Sequence, residues 1–213
     1  MIQVDRLPEP GILTTKKLTW LADLNIAIAL KDLTQIKACQ KKYGHKKVKD
    51  QLELMFAEKC AYCEVHINVV TVGHIEHFRP KSRFKSQTFE WLNLMLSCPN
   101  CNNKQHKGDK FPSVHAGGRL IDPSAENPAL HFEFTFDAIT QQALAIPKTV
   151  RGQTTATLFG LNSRKALIKS RSSLIKKLIL IKTYASTDPV ANSLIAEAKN
   201  QDQPYLAWVN ALI

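Results

Sequence analysis

The sequence predicts a mixed α+β protein in which a cysteine-stapled centre of short strands sits between helical segments at the two ends. Three observations carry this expectation: helical apolar spacing before residue 59 and after residue 162, two C-x-x-C pairs framing a centre without long amphipathic periods, and an alternating aromatic run at 132–136. A length of 213 residues favours one domain with extensions over two independent ones. The expected organisation is an N-terminal helical segment over 1–59, a core over 60–112, and a C-terminal strand hairpin with basic helices over 113–213 packed on that core.

In the first segment Trp20, Leu21, Leu24 and Ile28 fall at helical spacing, with Lys31 continuing the series, and Val48, Leu52, Met55 and Phe56 repeat it. Both stripes are expected to face the core. Between them Lys37, Lys41, Lys42, Lys46, Lys47 and Lys49 form an acid-free run from Leu33 to Lys49, read first as a solvated face and second as a phosphate contact. The Cys-, His-, Asn- and Pro-rich centre predicts short strands and turns ending in a helix.

After Gly117-Gly118, Asp122-Pro123 reads as a turn, and Phe132, Phe134 and Phe136 as a half-buried strand that returns as a hairpin near Gln141. Asn162 is placed as a helix cap, followed by Leu167, Leu174, Leu178 and Ile181 on one side and Lys165, Lys169 and Lys176 on another. A second helix is expected from Asp188-Pro189, with Pro at its first position. From Ala138 to Thr187 there are nine Lys or Arg and no acid.

Charge and cysteine content narrow the function. Against 18 acids stand 29 Lys and Arg, a net +11 that suits a polyanionic partner such as nucleic acid. With 44% apolar and 22% charged residues the chain is neither disordered nor fibrous. It has no apolar window long enough for a membrane span and no signal-peptide layout at its start, so a cytoplasmic location and no membrane contact are expected. Five cysteines do not suit a secreted disulfide scaffold, and Cys39 is left without a role.

The other four form Cys60-Ala61-Tyr62-Cys63 and Cys98-Pro99-Asn100-Cys101, each pair able to present two thiolates from one tight knuckle. Together they predict a closed tetrahedral zinc shell, structural because no position is left for substrate. Independent redox dithiols are the weaker reading, since nothing here resembles a thioredoxin strand and helix.

Between the pairs lie Gly73-His74-Ile75-Glu76-His77-Phe78-Arg79-Pro80-Lys81-Ser82 and Trp91-Leu92-Asn93-Leu94. An acid directly before a His, a Pro three residues on, and an Asn-Leu before a C-x-x-C that is followed by Asn resemble the HNH, or ββα-metal, nucleases. Cys-Ala-Tyr-Cys-Glu, Glu-His-Phe-Arg-Pro-Lys-Ser, Trp-Leu-Asn-Leu and Lys-Gly-Asp-Lys-Phe-Pro bring the likeness closer to the PtuB proteins of Septu and their retron-associated relatives in antiphage defence. The motif resemblance covers residues 60–112.

The resemblance implies a zinc-stapled ββα-metal core, an ATPase partner of the PtuA kind, and an association with a retron reverse transcriptase and its non-coding RNA/DNA. Phosphodiester hydrolysis itself asks for a base, a divalent cation and cationic groups on the backbone. His77 is the expected base, and the resemblance assigns Asn93 to holding the His-bearing backbone. Glu76 and Asn102 are the expected Mg²⁺ or Mn²⁺ ligands, with Asn103, His106 and His74 as alternates. The alternates arise because Lys107-Gly108 lies further from Asn102 than the family's Lys-Gly does.

Arg79, Lys81, Arg83, Lys104 and Lys107 are expected to hold nucleic-acid phosphates. The function expected is therefore a metal-dependent HNH endonuclease acting as a defence effector. A catalytically silent zinc-binding nucleic-acid or adaptor module is the alternative, and it has no use for Glu76, His77, Asn93 and Asn102 together.

Overall fold

A computed structural model describes residues 1–68, 71–116 and 118–213; Gly117, named above before the Asp122-Pro123 turn, lies outside the described residues. Helix α1 (Gly11–Ala29) follows Pro8 and Pro10 and buries Leu13, Leu24 and Ala27. Helix α2 (Leu33–Lys41) starts where the Asp32 carboxylate accepts from the Thr34 and Gln35 amides at 3.0 and 2.9 Å. Helix α3 (Lys46–Met55) turns Val48, Leu52 and Met55 into the core and packs on the central strands. Lys37, Lys46 and Lys47 are exposed, as a solvated basic face requires.

Strands β1 (His74–His77) and β2 (Leu94–Ser97) pair antiparallel, Glu76 opposite Met95 and His77 opposite Leu94. No α-helix directly follows the second cysteine pair, where the sequence placed the end of the core: residues 99–109 form turns and bends. Asparagines 100, 102 and 103 favour turns, Gly108 sits at φ +40, and the Lys107 amide closes back on the Cys101 carbonyl at 3.1 Å.

Strands β3 (Phe132–Asp137) and β4 (Gln142–Pro147) form a hairpin whose turn ends on Gln141 at φ +57. Helix α4 (Val150–Phe159), for which the sequence offered no apolar stripe, is capped by the Thr149 hydroxyl on the Gly152 amide and stopped by left-handed Gly160.

Helix α5 (Lys165–Lys182) begins after Arg164, so Asn162 is not its cap. The Asn162 amide instead bridges backward to β4, accepting from the Ala145 N–H at 3.0 Å and donating to its carbonyl at 2.7 Å. Helix α6 (Pro189–Ala198) has Asp188 as cap and Pro189 first, as expected. Helix α7 (Leu206–Leu212) covers β3 with Trp208, whose ring lies 4.7 Å from that of Phe134. Buried side chains from all these elements form one continuous apolar cluster, which also encloses Cys39.

Candidate active site

The centre of the fold is closed by four buried sulfurs: the Sγ atoms of Cys60, Cys63, Cys98 and Cys101 all lie within 4.8 Å of one another. That suits a four-cysteine metal site rather than two separate dithiols, because the sulfurs of the two pairs share one cluster, with Cys63 Sγ 3.8 Å from Cys98 Sγ. The knuckles are tied to the strands by the Ala61 amide on the Leu96 carbonyl at 2.9 Å. Arg164 places Nη2 3.5 Å from Cys101 Sγ, a cation against a shell that is anionic when its thiols ionise.

On β1, next to this site, Glu76 and His77 are both buried. His77 Nε2 lies 2.9 Å from the Thr88 carbonyl oxygen, which can only accept, so Nε2 carries the proton and Nδ1 keeps its lone pair. The ring meets Tyr43 edge to face at 4.5 Å. Burial pushes His77 down from 6.5 to about 4, with Lys81 and Lys107 adding to the effect and the Thr88 carbonyl opposing it. At neutral pH it is an uncharged imidazole with one nitrogen free to accept a proton.

Asn93 is buried and uses its whole amide on backbone. Its Oδ1 accepts from the Arg79 N–H at 2.7 Å, and its Nδ2 donates to the Arg79 and Gln87 carbonyls, each at 3.0 Å. The loop leaving His77 is thereby pinned to the chain entering β2. Arg6, which no motif marked, supports the other side of Asn93 by donating to the Trp91 and Leu94 carbonyls at 2.9 and 2.8 Å.

Glu76 is held from both sides. Tyr62 OH donates to Oε2 at 2.5 Å, and Lys107 Nζ lies 2.9 Å from Oε1 and 3.1 Å from the His77 carbonyl. Burial pushes the Glu76 carboxyl above its ordinary range, while Lys107 and the Tyr62 hydroxyl oppose that rise. Lys107 is fully buried and spent on these contacts, so the structure corrects its placement among the phosphate-binding residues: a side chain with no solvent exposure cannot reach a nucleic-acid backbone. Its partner Glu76, 31 positions earlier, is what pulls it inward.

These groups open on a cavity of about 180 Å³ whose walls include Tyr43, Glu76, His77, Lys81, Asn102 and Lys104, with Asp109 at its edge. Of the residues weighed for a second metal ligand, Asn102 reaches the cavity, and its Nδ2 lies 3.5 Å from His74 Nδ1. Asn103 and His106 are turned onto each other instead, Asn103 Oδ1 accepting from the His106 amide at 2.9 Å. Lys81 covers the Tyr43 ring at 5.0 Å, Arg79 is half-buried, and Arg83 is exposed with a bond to the Phe111 carbonyl at 3.1 Å. Asp122 holds a turn, accepting from the Ser124 amide at 2.9 Å. Tyr43 and Arg6 were not legible as site residues because neither belongs to a motif; Tyr62 and Asp109 lie inside quoted motifs, but nothing in those motifs marked them as contacts of the site.

Comparison with known proteins agrees with this centre. The HNH endonuclease family model matches residues 60–108. Septu protein PtuB of Bacillus mycoides (strain KBAB4) is 29% identical over 264 aligned positions, spanning 100% of this chain and 89% of that protein. The candidate HNH endonuclease of retron Vc95 from Vibrio cholerae serotype O1 biovar El Tor is 30% identical over 144 positions, 63% of this chain and 66% of its own length. The anaredoxin of Nostoc sp. (strain PCC 7120 / SAG 25.82 / UTEX 2576) is 32% identical over 73 positions, 34% of this chain and 90% of its length. No described helix is long and apolar enough to cross a membrane. With four clustered cysteines, a buried Glu-His pair and an asparagine clamp in the matched span, the chain carries an HNH endonuclease-family domain at residues 60–108 and is similar to Septu PtuB over its whole length.

Proposed function

We propose that this protein is a divalent-metal-dependent endonuclease that hydrolyses nucleic-acid phosphodiester bonds, and that it serves as the effector of a prokaryotic antiphage system together with an ATPase of the PtuA kind. The observation that carries the catalytic reading is His77: uncharged at neutral pH, its proton fixed on Nε2 by the Thr88 carbonyl, and lining the same cavity as Glu76 and Asn102. In that setting His77 Nδ1 takes a proton from a water as its oxygen bonds to phosphorus, the opposite P–O ester bond breaks, and the leaving oxygen takes a proton from solvent. Asn93 keeps the ring's backbone in place, and Lys81 and Lys104 hold the phosphate at the cavity wall.

The donor set also fits a hard cation. The cavity offers the carboxylates of Glu76 and Asp109 and the amide oxygen of Asn102, and outside the four cysteines the described residues hold no cluster of three His, Cys, Asp or Glu. Mg²⁺ or Mn²⁺, which keep most of their waters, suit so small a set, with Glu76 and Asn102 as the holders and His74 as the alternate. When bound, such an ion supplies charge stabilisation to the phosphoryl and leaving oxygens. The four-cysteine site is assigned to structural zinc. The ATPase partner and a retron reverse transcriptase with its non-coding RNA/DNA are carried over from the motif resemblance, and similarity to a Septu protein and to a retron protein supports a defence setting.

The test is cleavage of DNA and of total RNA by the pure protein, with and without an ATPase of the PtuA kind. His77→Ala is expected to lose roughly 10²- to 10⁴-fold in rate while keeping its zinc and its fold. Glu76→Ala is expected to recover in part at high Mn²⁺, and His77→Ala is not. Near-full activity in His77→Ala together with loss in His74→Ala would move the base to His74. No cleavage by the wild type under any metal or partner leaves the nucleic-acid adaptor.

A further inference from the structure

A second basic feature lies outside the candidate active site. Along α5, residues 165, 169, 172, 173 and 176 recur at helical spacing and face the turn of the β3–β4 hairpin. Together with Gln141 and Gln142 they enclose a groove of about 580 Å³. Lys165, Lys169 and Lys176 are exposed, and no described ion pair engages any of them. No Asp or Glu occurs anywhere from residue 138 to 187.

The opposite face of the helix explains why this one is free. Leu167, Ile175 and Leu178 are buried, and Arg171 is buried with them, donating to the Ala143 carbonyl from Nε at 2.8 Å and stacking 4.1 Å over the Trp208 ring. The helix is held by that face and does not need its lysines for packing. Three cations within one groove, without a counter-charge, repel one another and release counterions when an extended polyanion lies along them.

We propose that this groove is a nucleic-acid backbone site, distinct from the catalytic cavity, that holds a phosphodiester strand through Lys165, Lys169 and Lys176. The lining contains no aromatic ring for base stacking and no arginine fork for a guanine edge, so binding is to phosphate and is indifferent to sequence. The charge favours this occupant over an apolar partner, and the free amide and hydroxyl groups of Gln142 and Ser173 can donate to phosphate oxygens. The proposal rests on reading the chain as a nuclease, but it does not depend on cleavage.

The experiment measures affinity of the full chain carrying His77→Ala, so that bound substrate stays intact, for labelled duplex DNA and labelled RNA of arbitrary sequence over a salt series. Adding Lys165→Gln, Lys169→Gln and Lys176→Gln is expected to lower the slope of log affinity against log salt by about 2 to 3, from roughly 0.7 to 0.9 per lost phosphate contact. A charge-matched control, Lys31→Gln, Lys37→Gln and Lys47→Gln, changes three exposed lysines elsewhere and is expected to move the slope by less than half as much. The DNA and RNA arms show which backbone the groove prefers. Equal effects of the two triple variants, or an unchanged slope in the groove variant, overturn the proposal while leaving the nuclease reading intact. Loss of ATPase binding with an unchanged slope assigns the groove to an acidic protein instead. Absence of any nucleic-acid binding by the His77→Ala protein, paired with no cleavage by the wild type, overturns both.

Discussion

The two strand pairs of this protein are built by opposite means. In the β3–β4 hairpin six residues face six across a short turn, Phe132 and Phe134 go inward while Glu133 stays exposed, and apolar packing against α7 holds the sheet. The β1–β2 pair has four residues a side, is joined through the long segment 78–93, and buries Glu76, His77 and Ser97. Packing of Leu94, Met95 and Leu96 alone does not settle such a pair, since its buried polar groups destabilise unless each finds a partner. The sulfur cluster, the Asn93 clamp and the Lys107–Glu76 pair supply what the hairpin obtains from its phenylalanines. A region that carries chemistry is therefore stabilised by named polar contacts and is correspondingly brittle.

The largest effect that tests this contrast comes from the cysteines. Cys98→Ser, or stripping the metal with a chelator, is expected to remove most of the stability of residues 60–108, because apparent zinc binding in small metal-folded motifs is worth about 10–16 kcal/mol. Hydrogen exchange should show β2 amides losing protection while those of Phe134 and Ala145 in the hairpin keep most of theirs. Equal loss in both pairs would mean that they form one cooperative unit.

Next in size is the buried ion pair. Lys107→Met leaves the Glu76 carboxylate without its cation and is expected to cost about 3–5 kcal/mol in denaturant unfolding. Adding Glu76→Gln should return part of that loss, since the double change removes both charges. A Lys107→Met protein as stable as wild type would show that Tyr62 alone suffices for Glu76.

The smallest effect belongs to the hairpin's flank. Burial raises the Glu126 carboxyl, but hydrogen bonds from Arg151 and His131 outweigh it and hold the group below its ordinary 4.5. A depressed carboxylate contributes stability that is present above its unfolded value and is lost as pH falls through the folded one. Glu126→Gln should therefore lower the melting temperature at neutral pH and converge with wild type as pH falls through the depressed value of the folded carboxyl. A difference that is independent of pH would make Glu126 a packing residue.

How much of this was legible follows the same division. The hairpin could be read from Phe132, Phe134 and Phe136, and the α6 start from Asp188-Pro189, because both signals are local. Helix α4 could not, since its threonine-rich run carries almost no apolar face and only Thr149 and Gly160 mark its ends. The strand character of His74–His77 was legible only through its motif, because its burial runs from exposed His74 and half-buried Ile75 to buried Glu76 and His77 and shows no alternation.

The sequence by itself determined which residues could do chemistry: four cysteines in two knuckles, an acid beside a histidine, Asn93 just before Leu94, Asn102 just after the second knuckle, and a surplus of lysine. Only the tertiary structure decided what each cation does. Lys107 and Lys104 look alike in the chain, yet one is sealed against Glu76 and the other lines the cavity. Asn162 reads as a cap and serves as a clamp on β4. The reason is physical: composition and spacing report what a side chain can bind, whereas burial and pairing depend on residues tens of positions away that the fold alone brings within hydrogen-bond reach.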